Sequence, residues 1–220
     1  MTRPYVDYLV ARNEVPEASG LVSDYILASD GVFFRAANDL LSVFMLIAPC
    51  QVRGLKPLGQ YWLLRYGRLP QRIWDEMIEI VKEAAVEGNE VMMAVVRTDG
   101  GYELVIPPQE VGPGHVNITE PVAGAVMELH SHCRFGAYFS STDNRDEQGL
   151  RVYGVIGKVD TDRPEVVLRV GAYGYFMPVI CSEVFEGDHP GVLDVNADVF
   201  DDGLEQSLFQ EVLCELHAED

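Results

Sequence analysis

Two histidines, a serine and an aspartate within fourteen residues carry the chemistry open to this chain: in ELHSHCRFGAYFSSTD, residues 128–143, H-x-H is followed seven residues later by S-x-x-D. Side chains two apart on a strand share a face, so His130 and His132 project together while Leu129 and Ser131 point the other way. Gly136 lets the intervening loop turn back, and Ser140 with Asp143 three residues on has the form of a helix N-cap and its capping-box partner. His130, His132 and Asp143 then make a two-histidine, one-carboxylate ligand set for Zn2+, which leaves a fourth tetrahedral position open, as in catalytic rather than structural zinc sites.

An open position points to hydrolysis. Water on zinc has its pKa lowered to about 7, and a carboxylate is still needed to take its proton and pass it to the leaving amine. Glu90, at the mouth of a strand that can lie beside residues 126–132, is the candidate base, and the Ser140 hydroxyl is placed to donate to a developing oxyanion. Glu128 shares the histidine face and is an alternative as base or as a hydrogen-bond partner of the ligands. Taken singly these features are ordinary, since strand histidines are commonly structural and S-x-x-D commonly only caps a helix. The joint spacing carries the weight. His115, His189 and His217 have no ligand spacing and are expected at the surface, as are Glu76, Glu79, Glu83 and Glu87 on the solvated face of a helix.

The elements that must position these residues read as an α+β chain. Residues 25–28, 32–34 and 41–47 are strand-like, with Ser29-Asp30-Gly31 as a turn, and form a small β-rich N-terminal part. Ile73, Trp74, Met77, Val81, Ala84 and Ala85 recur at helical spacing after Pro70, and the helix should stop at Gly88-Asn89. Strands at 91–96 and 102–106 flank a Thr98-Asp99-Gly100-Gly101 turn. A loop rich in Pro and Gly spans 107–121, and strands follow at 126–132, 150–156 and 166–170, the last continuing towards 179. The centre is thus a helix-flanked mixed or antiparallel sheet. Leu204, Leu208, Val212, Leu213 and Leu216 mark a final amphipathic helix, suited to packing or to docking a partner. The divisions expected are 1–69, 70–182 and an acidic segment 183–220.

Composition narrows the function classes. The 220 residues are 48% hydrophobic and 23% charged, which fits a packed globular protein and excludes a disordered chain or a small disulfide scaffold. The net charge of −19 opposes phosphate backbones, so direct nucleic-acid binding is excluded. Twelve carboxylates fall from Glu183 to Asp220, where there is no Lys or Arg. Cys50, Cys133, Cys181 and Cys214 contain no C-x-x-C, as expected of reduced thiols. The opening Met-Thr-Arg-Pro-Tyr has no export pattern and the longest apolar run, around 40–49, is too short for a bilayer, so a cytoplasmic protein is expected.

The spacing H-S-H-x7-S-x-x-D at His130, His132, Ser140 and Asp143 resembles that of the JAMM metalloproteases, also called JAB or MPN+, a family that includes zinc isopeptidases cutting ubiquitin-like proteins from lysine side chains. The resemblance implies a JAMM/MPN-like, cytidine-deaminase-like fold over 70–182. It places the catalytic glutamate at the start of a strand some tens of residues before H-x-H, which matches Glu90, with Glu87 as runner-up. Residues 20–180 are similar, more narrowly, to a family of the bacterial plasmid-associated PRTRC cassette, through the β-rich opening, the Pro-then-helix segment, LHSH, FSSTD and Tyr153-Gly-Val-Ile-Gly157. That likeness implies as partners a ThiF-related, E1-like protein and a ubiquitin-like or other protein substrate with an extended C-terminal tail. Cys133 stands where many JAMM proteins have Pro, and its thiolate is a potential competitor for metal. Two other functions remain open: a non-catalytic scaffold of such a cassette, and zinc hydrolysis of a small molecule, for which the H-x-E and P-C-x-x-C signature of the deaminases is missing.

Overall fold

The computed structural model describes residues 5–112, 115–189 and 191–197, which form a mixed α+β fold, mostly sheet with few helices. The chain divides into two compact units between Arg65 and Tyr66.

In the first unit, β1 (Val6–Val10), β2 (Ser23–Leu27), β3 (Gly31–Ala37), β4 (Leu41–Pro49) and β5 (Tyr61–Leu64) form one sheet in that order, with β1 parallel to β2 and the rest antiparallel. β1 and β5 have no counterpart in the sequence reading. Val-Asp-Tyr-Leu-Val has a half-exposed edge-strand pattern, and Tyr-Trp-Leu-Leu is too short to show a period. The core gathers Ile26, Phe33 and Phe44, with Phe44 stacked on its cross-strand neighbour Tyr61 at 5.6 Å.

Asp24 and Arg35 face each other across β2 and β3, with Arg35 Nη2 2.6 Å from Asp24 Oδ2 and both side chains largely buried. Arg35 also donates to the Pro16 and Glu17 carbonyls, fastening the segment before β2. Burial alone pushes the Asp24 carboxyl up, but hydrogen bonds from Ser19 and Arg35 outweigh it and hold the group below the usual carboxylate range. The stabilisation is therefore present above the ordinary carboxylate pKa and is lost as pH falls through the lowered one. Asp24→Asn is expected to cost about 3 kcal/mol at neutral pH, since it leaves Arg35 buried without its counter-charge. Urea unfolding followed against pH should show the gap between variant and wild type narrowing under acid conditions.

The second unit is built on a mixed sheet in which the neighbouring strands are, in order, β13 (Tyr175–Val179), β12 (Glu165–Ala172), β11 (Arg151–Gly157), β10 (Ala125–Ser131), β6 (Met92–Thr98) and β7 (Gly101–Val105). Its helix α1 (Gln71–Val86) starts after Pro70 and buries Ile73, Trp74, Met77 and Val81, the apolar stripe expected from their spacing. The helix stops where Gly88 takes a φ of 75°, so that the Gly88 and Asn89 N–H groups return to the Ala85 and Ala84 carbonyls. β6 (Met92–Thr98) and β7 (Gly101–Val105) make the expected hairpin. The stretch read as a loop instead contains a second hairpin, β8 (Gln109–Gly112) with β9 (His115–Ile118). The Gln109 side chain accepts from the Met92 N–H and donates to the Met92 carbonyl, a long-range anchor that strand periodicity cannot reveal.

β10 (Ala125–Ser131) lies antiparallel to β6 and parallel to β11 (Arg151–Gly157). Parallel neighbours require a crossover, and residues 132–150 supply it, carrying the helix α2 (Ser141–Asp146). β12 (Glu165–Ala172) and β13 (Tyr175–Val179) continue as an antiparallel pair. After them come α3 (Cys181–Val184) and the short β14 (Leu193–Asp194), which pairs with β12. Asn196 donates to the Leu168 and Val179 carbonyls, so this unit runs to Ala197, where the sequence reading sets a boundary at 182. The expected helix over residues 204–216 lies outside the described residues. No helix among the described residues is long and apolar enough to cross a membrane.

Candidate metal centre

The end of β10 and the crossover that follows bring His130, His132 and Asp143 together, with one potential ligand atom from each lying within 4.8 Å of the others. Met127, Leu129 and Ser131 alternate into the core, which turns His130 to the opposite face. His132 follows at the strand end, its N–H donating to the Ile156 carbonyl of β11. The crossover loop returns through Gly136 to Ser140, whose hydroxyl accepts from the Thr142 and Asp143 N–H groups while the Asp143 Oδ2 accepts from the Ser140 N–H at 2.5 Å. This capping box occupies one carboxylate oxygen and leaves Oδ1 facing His130 Nε2 at 3.7 Å.

The donor set suits a metal ion. His132 Nδ1 lies 3.1 Å from the Gly136 carbonyl, which can only accept, so the proton sits on Nδ1 and the lone pair on Nε2. That Nε2 faces His130 Nε2 at 3.1 Å. Tetrahedral coordination with metal–nitrogen bonds near 2.05 Å separates ligand atoms by about 3.3 Å, and the two separations of 3.1 and 3.7 Å bracket that value. Burial pushes His130 down to about 4 against the pull of Asp143, so the imidazole is neutral at physiological pH, as a ligand must be. Tyr138 sets its ring against His132 at 4.8 Å between centroids.

Glu90 lies beside this group, 6% exposed, and both line a cavity of about 500 Å³. Three bonds fix its backbone: Cys133 Sγ donates to the Asn89 carbonyl, the Glu90 N–H reaches the Gly112 carbonyl, and the Ser131 hydroxyl accepts from the Val91 N–H. Ser131, the residue between the two histidines, thus ties the glutamate strand to the histidine strand. Burial pushes the Glu90 carboxyl up, opposed by His132 and His115 and reinforced by Asp143. Glu87 is exposed at the end of α1 and takes no part in the cavity lining. Glu128 does line the cavity but is engaged by the Arg151 guanidinium.

Two expectations change. Cys133 donates a hydrogen bond to the Asn89 carbonyl, burial together with Glu90 pushes its thiol pKa up, and it lies outside the group of potential ligands. His189 is only half-exposed, its ring 5.0 Å from that of Trp74 and 5.9 Å from that of Phe185. His115 is exposed, as expected, but β9 places it on the cavity wall with Val116, Asn117 and Ile118. His217 lies outside the described residues. No family model and no curated protein matches this sequence.

Proposed function

We propose that this protein is a zinc-dependent peptidase or isopeptidase of the JAMM type, acting on the extended tail of a ubiquitin-like or other protein substrate. The observation that carries the reading is the convergence of His130, His132 and Asp143 on one point beside a buried glutamate, at the wall of a single cavity. The two imidazole Nε2 atoms and Asp143 Oδ1 would hold the ion. When bound, zinc supplies Lewis-acid polarisation of a carbonyl and acidifies water.

The chain's own groups divide the remaining work. Glu90, whose carboxyl is raised by burial, takes a proton from the attacking water and returns it to the leaving amine, a cycle favoured by a pKa nearer the working pH. The Ser140 hydroxyl already accepts from two N–H groups and keeps its own proton for donation to the developing oxyanion. β9 lines the cavity and among the described residues pairs only with β8, so an extended tail can add to its outer edge through backbone hydrogen bonds. The free thiols of Cys50, Cys133 and Cys181 agree with a cytoplasmic setting, and the cassette likeness suggests an E1-like, ThiF-related protein as partner.

Plasma mass spectrometry of the purified protein tests the site directly. About one zinc per chain is expected, with loss of the metal in the His130→Ala/His132→Ala variant. Tail fusions of ubiquitin-like proteins should be cleaved by wild type and left intact by the variant. A folded wild type that takes up no zinc when it is supplied in excess sinks the hydrolase reading. Zinc without cleavage of any tail moves the weight to a scaffold.

A further inference from the structure

The third ligand sits on an element with little to hold it. α2 is six residues long and contributes no buried side chain, so apolar packing of its own does not set its place. Arg169 of β12, only 7% exposed, reaches it from the sheet. Its Nη1 donates to Asn144 Oδ1 at 2.6 Å, and Nε and Nη2 donate to Glu147 Oε2 at 2.9 and 2.5 Å. The guanidinium is itself gripped between two rings, 3.6 Å from the Phe139 centroid and 3.7 Å from that of Phe176.

The two residues held by the fork lie three apart, so bonds to both restrict rotation as well as sliding of the helix. Asp143 is bound into the same turn, since its carbonyl accepts from the Glu147 N–H at 2.9 Å. A guanidinium suits this task because it is planar, donates in a fixed fork and stacks on aromatic faces, none of which an ammonium reproduces.

We propose that Arg169 is a positioning residue for the metal centre: stacked between Phe139 and Phe176 and forked onto Asn144 and Glu147, it fixes α2 so that the Asp143 carboxylate stays aimed at His130 and His132. This rests on the metal-site reading above, and it adds that the coordination geometry is governed from β12 and β13, outside the motif that supplies the ligands. Groups that orient metal ligands typically change affinity by about 10- to 100-fold when removed.

The test compares full-length wild type with Arg169→Lys, Asn144→Ala and the double variant. Zinc affinity is read by competition with a chromophoric chelator, coordination by the visible absorption of the cobalt-substituted protein, and stability by thermal unfolding of the metal-free forms. Arg169→Lys is expected to weaken zinc by about 10- to 100-fold. Asn144→Ala removes one acceptor from the Arg169 fork but leaves the guanidinium on Glu147 and between its two rings, so it should lower the metal-free unfolding midpoint only slightly while weakening zinc and altering the cobalt spectrum. The double variant should bind no more weakly than Arg169→Lys, because both changes cut the same fork. Wild-type zinc affinity and cobalt spectrum in Asn144→Ala would overturn the proposal, even if Arg169→Lys proved too unstable to assay. A wild type that binds no zinc is a different failure, that of the metal site itself.

Discussion

Glu90→Gln is expected to slow cleavage of a susceptible tail fusion by about 10²- to 10⁴-fold while zinc content stays at the wild-type level. The amide matches the carboxylate in size and keeps an acceptor oxygen, so the cavity wall is preserved, but it cannot take a proton. Glu90 is not among the three convergent residues able to hold a metal ion, which is why metal uptake should survive. Single-turnover cleavage and metal analysis on the same preparation separate the two effects. Wild-type turnover in this variant would remove Glu90 from the mechanism. Glu87→Gln serves as the control: Glu87 is exposed and away from the cavity, so its replacement should leave turnover unchanged.

Gly157→Ala should be nearly as damaging through a different route. A Cβ at this position would lie 2.4 Å from Phe135 O, Gly136 C and Ala137 N, all backbone atoms of the crossover loop. The loop cannot simply retreat, because the Lys158 and Val159 N–H groups donate to the Phe135 and Cys133 carbonyls, both at 2.7 Å. Gly136 is also the acceptor that fixes the His132 tautomer. The substitution is expected to cost about 3 kcal/mol in stability through overpacking and to weaken zinc by at least about 10-fold through the displaced carbonyl. Gly154→Ala, three residues earlier on β11, meets only the ends of the Leu168, Leu129 and Met127 side chains, at 2.8–3.2 Å, and should be milder. Chemical unfolding and chelator competition check both, and a Gly157→Ala protein with wild-type zinc affinity would show that the loop does not depend on this close approach.

The parts of this protein legible in its sequence are those decided within a few residues. H-x-H places two imidazoles on one strand face because strand side chains alternate. S-x-x-D closes on itself as a capping box, and the Asp99-Gly100 turn and the α1 stripe are equally local. Other features depend on partners far along the chain. The pattern favours Glu90 over Glu87, three residues away, but the burial that sets them apart belongs to the fold, in which the backbone around Glu90 is held by Gly112, Ser131 and Cys133. The β8–β9 hairpin is anchored by a glutamine side chain acting as backbone partner to Met92, and the Pro/Gly-rich composition of the segment hides it. Arg169 looks in sequence like one charge in an apolar strand, yet it reaches Asn144 and Glu147 more than twenty residues earlier. Local periodicity and capping are enough to bring two imidazoles and a carboxylate within reach of one ion. Which further carboxylate is buried beside them, and what holds the Asp143 helix in place, waits on the packing of distant segments, because desolvation and long-range hydrogen bonds do not exist before it.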